Sequence, residues 1–460
     1  MSTTSTPVEK RTGVQTLTLI VISIAQFIIA LDYSIVYVAL PSIGTELAMN
    51  EASLQWVVSS YALLFAGLLL LGGRIVDKLG GKSVFIGSVL LFGLASLLGG
   101  IADNAALLLL ARALQGIAAS ALLPSVLALL SQSFPDGKLR SNAYAIWGAV
   151  GASGLAAGVV LGGLLTTLSW RWTFLINIPL VIICVIGAVR TFRSKNPQTE
   201  PTTIPVLSSI AGTSAILLVV LTLTLLADPE TSPGLFWLVA ALAVLAVLAF
   251  LFNERRSGSP LIERPLRKLR ALRAGTIAAG LYMASVGTEF FLVTLYLQEQ
   301  RGYSALAAGI AFLPLAAMVT VGNVVAGKLI VSNSVQRVLG LGFAISAGGL
   351  LLLAVSLGID NFWLGLLPGF FLSGFGHGLI YTAMFVLGTS DAPQESQGAA
   401  GSLITTSQYV AGGISLALLV LVIALIGPEL GYPLAFGINA AFALIGVVLA
   451  LTLKGRSNAT

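Results

Sequence analysis

An aspartate in the middle of an apolar stretch is the first residue of this chain that could carry chemistry. Asp32 follows Leu31 and is soon followed by Ile35 and Val36. A charged side chain in a lipid-embedded helix costs about 2.5–3.5 kcal/mol, so such a residue normally faces a cavity and has a function. Because loss of water favours the neutral acid, Asp32 is suited to binding protons or a cationic substrate. The alternative is a structural carboxylate bonded to neighbouring hydroxyl groups.

A second charged residue, Arg112, interrupts the apolar segment 107–120. A guanidinium group cannot lose its proton in a membrane, so it needs a carboxylate or carbonyl partner. Asp32 is the obvious candidate partner, with Gln115 as a possible helper. A role in helix packing alone is the alternative.

The third charged residue is Glu289, in the apolar segment 283–298. Phe290 is its neighbour, and Tyr296 lies about two helical turns away. An acid beside aromatic rings suits a lipophilic cation, through charge pairing and cation–π contact. The sequence therefore predicts a substrate site here, with a helix–helix contact as the alternative.

Other candidates have weaker signals. The aromatic residues Trp56, Tyr61 and Trp147 are candidates for the substrate pocket. The single histidine, His377, is flanked by glycines; although its side chain could respond to pH, a hydrogen-bonded structural residue is the favoured interpretation. Two sets of residues are predicted to act in gating, a glycine–charge cluster and a pair of small residues on one helix face: Gly73, Arg74, Asp77 and Lys82, and Gly158 with Gly162.

Composition identifies the elements that must position these residues. Apolar residues make up 57% of the 460, and charged residues only 9%, where soluble domains carry roughly 25%. Such a chain is an all-α polytopic membrane protein and not an enzyme or a nucleic-acid binder. The chain has no Walker-type loop, no catalytic carboxylate pair and no metal-binding cluster, so we expect no cofactor and an ion gradient as the energy source.

Apolar runs of about 20 residues mark membrane-crossing helices. Fourteen are predicted, near 14–40, 52–72, 83–101, 105–131, 142–168, 172–190, 205–227, 234–252, 274–298, 305–331, 338–358, 361–388, 397–426 and 431–453. With both termini in the cytoplasm, all but three of the 24 Lys and Arg residues fall on the cytoplasmic side. The exceptions are Arg112, Arg171 and Arg301. This bias follows the positive-inside rule and fixes the predicted orientation.

The halves of the chain resemble each other, since 72–83 aligns with 326–337. Repeated six-helix halves are typical of transporters. The predicted domains are an N-terminal six-helix half (1–200), an inserted two-helix hairpin (201–255), a basic cytoplasmic loop (256–273) and a C-terminal six-helix half (274–460).

Several segments together resemble the fourteen-span drug–proton antiporters of the major facilitator superfamily. They are LDYSIVYVALP (31–41), GGRIVDKLGGK (72–82), LLLLARALQGIAAS (107–120), WRWTFLINIP (170–179), YLQEQRGYSALAAGIAFLP (296–314) and GAAGSLITTSQYVAGG (398–413). The resemblance implies the major facilitator fold and proton-driven, multidrug-type export from a bacterial inner membrane. It also implies that Asp32 and Arg112 couple protons to transport.

The chain departs from the family pattern at two places. Val159 stands where the span 5 motif has a proline, and 56–64 and 404–410 lack the acids that many cation exporters carry there. Permanent dications are therefore disfavoured as substrates. Export of one metabolite, lipid or siderophore remains the alternative function, and a non-transporting receptor a more remote one. The expected partners are a small-molecule substrate, protons and membrane lipid, with the protein as a monomer.

Overall fold

The computed structural model describes residues 12–134, 138–192, 206–227, 231–256, 264–393 and 397–453. In that part of the chain the secondary structure is helical. The long helices, numbered in chain order, are α1 Gly13–Glu46, α2 Glu51–Leu79, α3 Gly81–Gly100, α4 Ala105–Ser133, α5 Lys138–Thr166, α6 Trp172–Thr191, α7 Val206–Ala227, α8 Pro233–Arg256, α9 Arg270–Gln300, α10 Ala305–Ser332, α11 Val335–Ser356, α12 Leu367–Thr389, α13 Gln397–Ile426 and α14 Pro428–Thr452. Thirteen of them are long and apolar enough to cross a membrane, whereas the apolar part of α5 among the described residues is the shorter Ala157–Thr166.

Short polar residues set where the helices begin. The side chains of Asn50, Asn104 and Ser304 each accept a hydrogen bond from a backbone N–H in the first turn of α2, α4 and α10. These caps satisfy donors that have no partner inside the helix. Gly80 joins α2 to α3 with a φ of 83°, a backbone conformation that favours glycine.

The helices pack as two repeated halves. In the first half α1 packs against α5 and α6, while α4 packs against α2 and α3, and α3 against α6. The second half repeats each of these pairs eight helices later: α9 with α13 and α14, α12 with α10 and α11, and α11 with α14. The hairpin α7–α8 lies outside both halves, with α7 against α2 and α13. The predicted fold is confirmed.

The observed helices differ in detail from the predicted spans. Helix α1 continues through Pro41 to Glu46, and α9 begins at Arg270, inside the predicted basic loop. Helix α9 also contains two π-helical turns, Met283–Gly287 and Tyr296–Gln300. Apolar periodicity carries no signal for such turns, because a π-turn adds one residue to a helix without changing its composition.

Candidate functional site

Asp32 lies at the centre of a polar cluster inside the N-terminal half. Its side chain is fully buried. One carboxylate oxygen, Oδ1, accepts hydrogen bonds from Gln115 Nε2 at 2.8 Å and from Asn177 Nδ2 at 2.9 Å. The other, Oδ2, pairs with Arg112 Nη1 at 2.6 Å. Ser96 Oγ accepts from Gln115 at 2.9 Å. Both oxygens of the carboxylate are therefore satisfied, by side chains from α4 and α6.

The Arg112 guanidinium group contacts three further residues besides Asp32. Its Nε donates to the Val57 carbonyl oxygen at 2.7 Å, and its Nη1 also donates to Gln115 Oε1 at 2.9 Å. The guanidinium carbon lies 4.4 Å from the centre of the Tyr61 ring. A buried guanidinium is stable only with such partners, because its charge cannot be removed. The structure thus brings together Asp32, Arg112 and Tyr61, but in the interior of the N-terminal half.

A narrow cavity lies between the two halves. Its walls come from α1 and α2 on one side and from α9 and α13 on the other, and its volume is about 20 Å³. The lining residues are Tyr33, Tyr37, Val58, Ser59, Ala62, Met283, Gly287, Thr288, Phe291, Tyr409, Gly412, Gly413 and Leu416. All of these side chains are uncharged.

Tyrosines dominate the chemistry of this cavity. Tyr37 donates a hydrogen bond to the Tyr33 hydroxyl at 3.0 Å, and the Tyr33 and Tyr409 rings meet edge to face with centroids 5.5 Å apart. Such walls offer aromatic faces together with hydroxyl groups. Tyr33 directly follows Asp32, so the two side chains project about 100° apart on α1. One therefore faces the cavity while the other faces the polar cluster.

Glu289 lies inside the C-terminal half and is absent from the cavity wall. Its side chain is fully buried, and Ser373 Oγ donates to its Oε1 at 2.9 Å. Its Oε2 has no hydrogen-bond partner among the described residues. His377, one turn beyond Ser373 on α12, is also buried, with its Nε2 unpartnered and its ring 5.2 Å from that of Tyr282.

The other predicted pocket residues have different neighbours. Trp56 Nε1 donates to Thr224 Oγ1 of α7 at 3.1 Å, so this side chain faces the hairpin. Trp147 packs against the core of the N-terminal half. The Phe290 ring stacks on that of Phe312, with centroids 5.3 Å apart. These three side chains do not line the cavity.

Tyr296 lies near the end of α9 rather than in the cavity. Its hydroxyl donates to the Leu357 carbonyl oxygen and accepts from Arg301 Nε at 2.8 Å. Arg301 also pairs with Asp360. This cluster ties α9 to the turn that precedes α12, which is a structural function.

The predicted gating residues form two groups. Gly73 lies in open surroundings, Arg74 is half-buried, and Lys82 Nζ donates to the Val189 carbonyl oxygen of α6 at 3.4 Å. The Asp77 side chain lies outside the described residues. Gly158 and Gly162 pack against α1: a Cβ added there would lie 2.8 Å from the Leu31 carbonyl oxygen and 2.7 Å from that of Ile35, respectively.

Several contacts join the two halves, among them a hydrogen bond from Thr406 Oγ1 to the Ala66 carbonyl oxygen at 3.0 Å. At the end where α1 stops, here called the Glu46 end, a Cβ added to Gly309 would lie 2.7 Å from the Val159 carbonyl oxygen. Gln298 Nε2 also donates across the halves to the Val38 carbonyl oxygen at 3.0 Å. At the opposite end, called the Lys82 end, four glycines of the facing helices have no atom within 4 Å of an added Cβ: Gly73, Gly148, Gly327 and Gly401.

Sequence reasoning missed the tyrosine wall and part of the polar cluster. Tyr33 and Tyr37 lie four residues apart beside Asp32, and Tyr409 lies in a segment already singled out by resemblance. That spacing was an available signal. Asn177 also lies in a segment singled out by resemblance, whereas nothing in the sequence distinguishes Ser96 from other serines in the apolar runs.

The two helical halves, with a charged cluster in one and a cavity between them, define a membrane transporter fold. The model of the Major Facilitator Superfamily matches residues 22–228 and 202–416, and the chain belongs to this family. Its relatives include the puromycin resistance protein of Streptomyces alboniger, at 35% identity over 87% of this chain and 80% of the relative. The cephamycin export protein of Amycolatopsis lactamdurans is 36% identical, over 90% of this chain and 86% of that protein.

A third relative is the tetracenomycin C resistance and export protein of Streptomyces glaucescens, at 30% identity over 96% of this chain and 85% of that protein. Among solved structures, a bacterial homologue of the lysosomal transporter Spinster, in an inward-facing and unoccupied conformation, matches with a TM-score of 0.69. It is 14% identical and is covered over 97% of its length, against 96% of this chain. The predicted family resemblance is confirmed. The protein is a multi-pass membrane transporter related to antibiotic resistance and export proteins.

Proposed function

We propose that this protein exports lipophilic compounds from a bacterial cytoplasm in exchange for protons. The observation that carries the proposal is the buried Asp32–Arg112 pair, whose acid is adjacent in sequence to a residue of the cavity wall. An ionisable residue buried inside a membrane protein is expensive and marks an ion or proton path. No other energy source is suggested by the chain.

Protonation of Asp32 is the proposed coupling step. A proton on Asp32 removes the negative charge that binds Arg112 and so weakens the tie between α1 and α4. Since α1 also carries Tyr33 and Tyr37, its movement changes the cavity wall. Proton and substrate thus compete through the position of α1, without contact between the substrate and Asp32. This indirect route replaces direct cation binding by Asp32, because its oxygens are already occupied.

The cavity supports a lipophilic substrate with aromatic or cationic character. Tyrosine and phenylalanine faces attract lipophilic cations by cation–π contact and neutral ring systems by stacking. The relatives are named after several different antibiotics, so multidrug-type export is the first proposal. Dedicated export of one metabolite is the second, supported by the relatives whose names each give a single compound.

Direction follows from the predicted orientation. With the basic loops in the cytoplasm, the Lys82 end faces inward and the Glu46 end faces outward. The Gly309 and Gln298 contacts at the Glu46 end support a cavity closed to the outside. We propose that the 72–82 segment and the Gly158 and Gly162 contacts govern the change to the opposite state. The domain limits at 200, 255 and 273 and the monomeric state are part of the same proposal.

Transport in proteoliposomes tests the coupling. Purified protein is reconstituted, a pH gradient is imposed, and movement of puromycin and of the lipophilic cation tetraphenylphosphonium is followed. We expect gradient-driven movement that Asp32→Asn reduces to background, because an amide cannot exchange a proton. Asp103→Asn is the matched control, since Asp103 is exposed. Full gradient-driven transport by Asp32→Asn would overturn the coupling role.

A further inference from the structure

Glu289 differs from Asp32 in its hydrogen-bond partner, which is a neutral hydroxyl group and not a cation. Each acid lies on the first helix of its half, and each is bonded to the fourth helix of that half, α4 or α12. Helix α4 supplies Asp32 with the permanent cation of Arg112. Helix α12 supplies Glu289 with the neutral hydroxyl of Ser373, and in the described part of the chain Glu289 forms no ion pair.

No cation is close to Glu289 along its own helix, because Arg273 lies 16 residues, or about 24 Å, before it. The titratable side chains on α9 and on the helices packed around it are Arg270, Arg273, Tyr282, Tyr296 and Glu299 on α9, Asp32, Tyr33, Tyr37 and Glu46 on α1, His377 and Tyr381 on α12, Tyr409 on α13, and Glu429 and Tyr432 on α14. A buried carboxylate without a cation is strongly disfavoured. A carboxylic acid, in contrast, carries no charge, and its carbonyl oxygen can accept the hydrogen bond from Ser373. The lack of an ion pair among the described residues therefore favours Glu289 in its protonated form.

The local backbone places Glu289 next to two residues of the cavity wall. Thr288, directly before it, lines the cavity, and so does Phe291. The π-helical turn Met283–Gly287 ends two residues before Glu289, and such turns are frequent at functional sites. Asp32 is likewise adjacent in sequence to a residue of the cavity wall, Tyr33. Each acid is therefore separated from the cavity by a single step along its own helix.

We propose that Glu289, with Ser373 as hydrogen-bond donor, is a second proton-binding site of the transporter. It holds a proton on Oε2 in the conformation described, in which Asp32 is paired with Arg112. The proton is taken from water on one side of the membrane and released to water on the other. This inference rests on the proposed proton-coupled function and raises the number of protons moved per cycle.

Infrared spectroscopy of the purified protein at neutral pH tests the protonation itself, without a substrate. A protonated carboxyl group has a C=O stretching band that a carboxylate lacks. We expect this band in the wild type and in Asp32→Asn, and its loss in Glu289→Gln. Glu299→Gln is the matched control, since Glu299 lies on the same helix and is exposed; it should keep the band. A wild type without the band, or Glu289→Gln with it, overturns the proposal.

A second variant keeps the test decisive if Glu289→Gln does not fold. Ser373→Ala leaves the acid in place but removes its donor, so the C=O band should remain and shift to higher frequency. An unshifted band overturns the assignment.

The ratio of protons to substrate then tests the function of the site. A gradient of whichever probe the wild type transports is balanced against a pH gradient until net flux stops. The ratio should fall by about one proton in Glu289→Gln, because that side chain can no longer exchange one. An unchanged ratio overturns the proposal, whereas a wild type with no pH-driven transport of either probe contradicts the proposed function and leaves the spectroscopic result standing.

Discussion

At the scale of single residues, the charge of Arg112 decides how the N-terminal half is built. The guanidinium reaches a carboxylate, an amide oxygen, a backbone carbonyl and an aromatic face at once. Removing one member of a buried ion pair leaves the other without compensation, which costs about 3–5 kcal/mol. Replacing both partners by neutral groups avoids most of that cost.

Arg112→Leu should therefore lower the thermal stability of the purified protein clearly, and Asp32→Asn in the same chain should restore most of the loss. The expected coupling between the two changes is about 3 kcal/mol or more, because the second change restores most of a loss of that size. Midpoints of thermal unfolding in detergent, measured for both single variants and the double variant, give this coupling. Additive shifts would show that the two side chains do not interact.

At the scale of elements, small residues let α5 lie directly against α1. Gly158 and Gly162 bring the α5 backbone close to the carbonyl oxygens of Leu31 and Ile35, on either side of Asp32. Close approach through small residues is a usual form of helix contact in membranes. The same helix meets α10 across the halves, through Val159 and Gly309. Helix α5 therefore links the polar cluster to the contact between the halves.

Gly158→Ala should destabilise the protein by about 1–3 kcal/mol, because the added Cβ overpacks the α1 contact. It should also slow transport, since α1 and α5 can no longer keep their spacing. Gly148→Ala on the same helix is the control: its Cβ meets no atom within 4 Å, so stability should stay equal or rise. Unfolding midpoints and proteoliposome transport of both variants provide the measurement, and equal losses in the two would argue against a specific role of the α1 contact.

At the scale of the whole molecule, the direction of transport depends on which end of the helix bundle faces the cytoplasm. The contacts of Gly309 and Gln298 join the halves at the Glu46 end. Helix α7 of the hairpin packs on α2 and α13, and an even number of inserted helices leaves the orientation of the second half unchanged. Both halves therefore present the same end to the same side.

Cysteine labelling tests that orientation. The single native cysteine, Cys184, is buried, so it should give little background. Ser232→Cys should react with an impermeant maleimide from outside intact cells, while Ser83→Cys and Ser332→Cys should react only after the membrane is opened. All three positions are exposed. Reaction of Ser83→Cys in intact cells, or of Ser232→Cys only in opened cells, would reverse the proposed direction.

The sequence by itself determined the features that depend on the cost of placing polar groups in lipid. Long apolar runs gave the fourteen helices, and the expense of buried charge singled out Asp32, Arg112 and Glu289, all of which are fully or almost fully buried. It also predicted the pairing of Asp32 with Arg112, because a permanent cation in a membrane must have a partner.

Only the tertiary structure decided which way most side chains face. Lipid and protein interior are both apolar, so in a membrane helix hydrophobicity does not distinguish the buried side from the exposed one. The Trp56 side chain therefore contacts the hairpin and not the cavity, and Tyr296 contacts a turn of its own half. Glu289 bonds to α12 and does not line the cavity. Tyr33 and Tyr409 came together from helices far apart in the chain, because helix packing, and not local composition, sets the rotation of each helix.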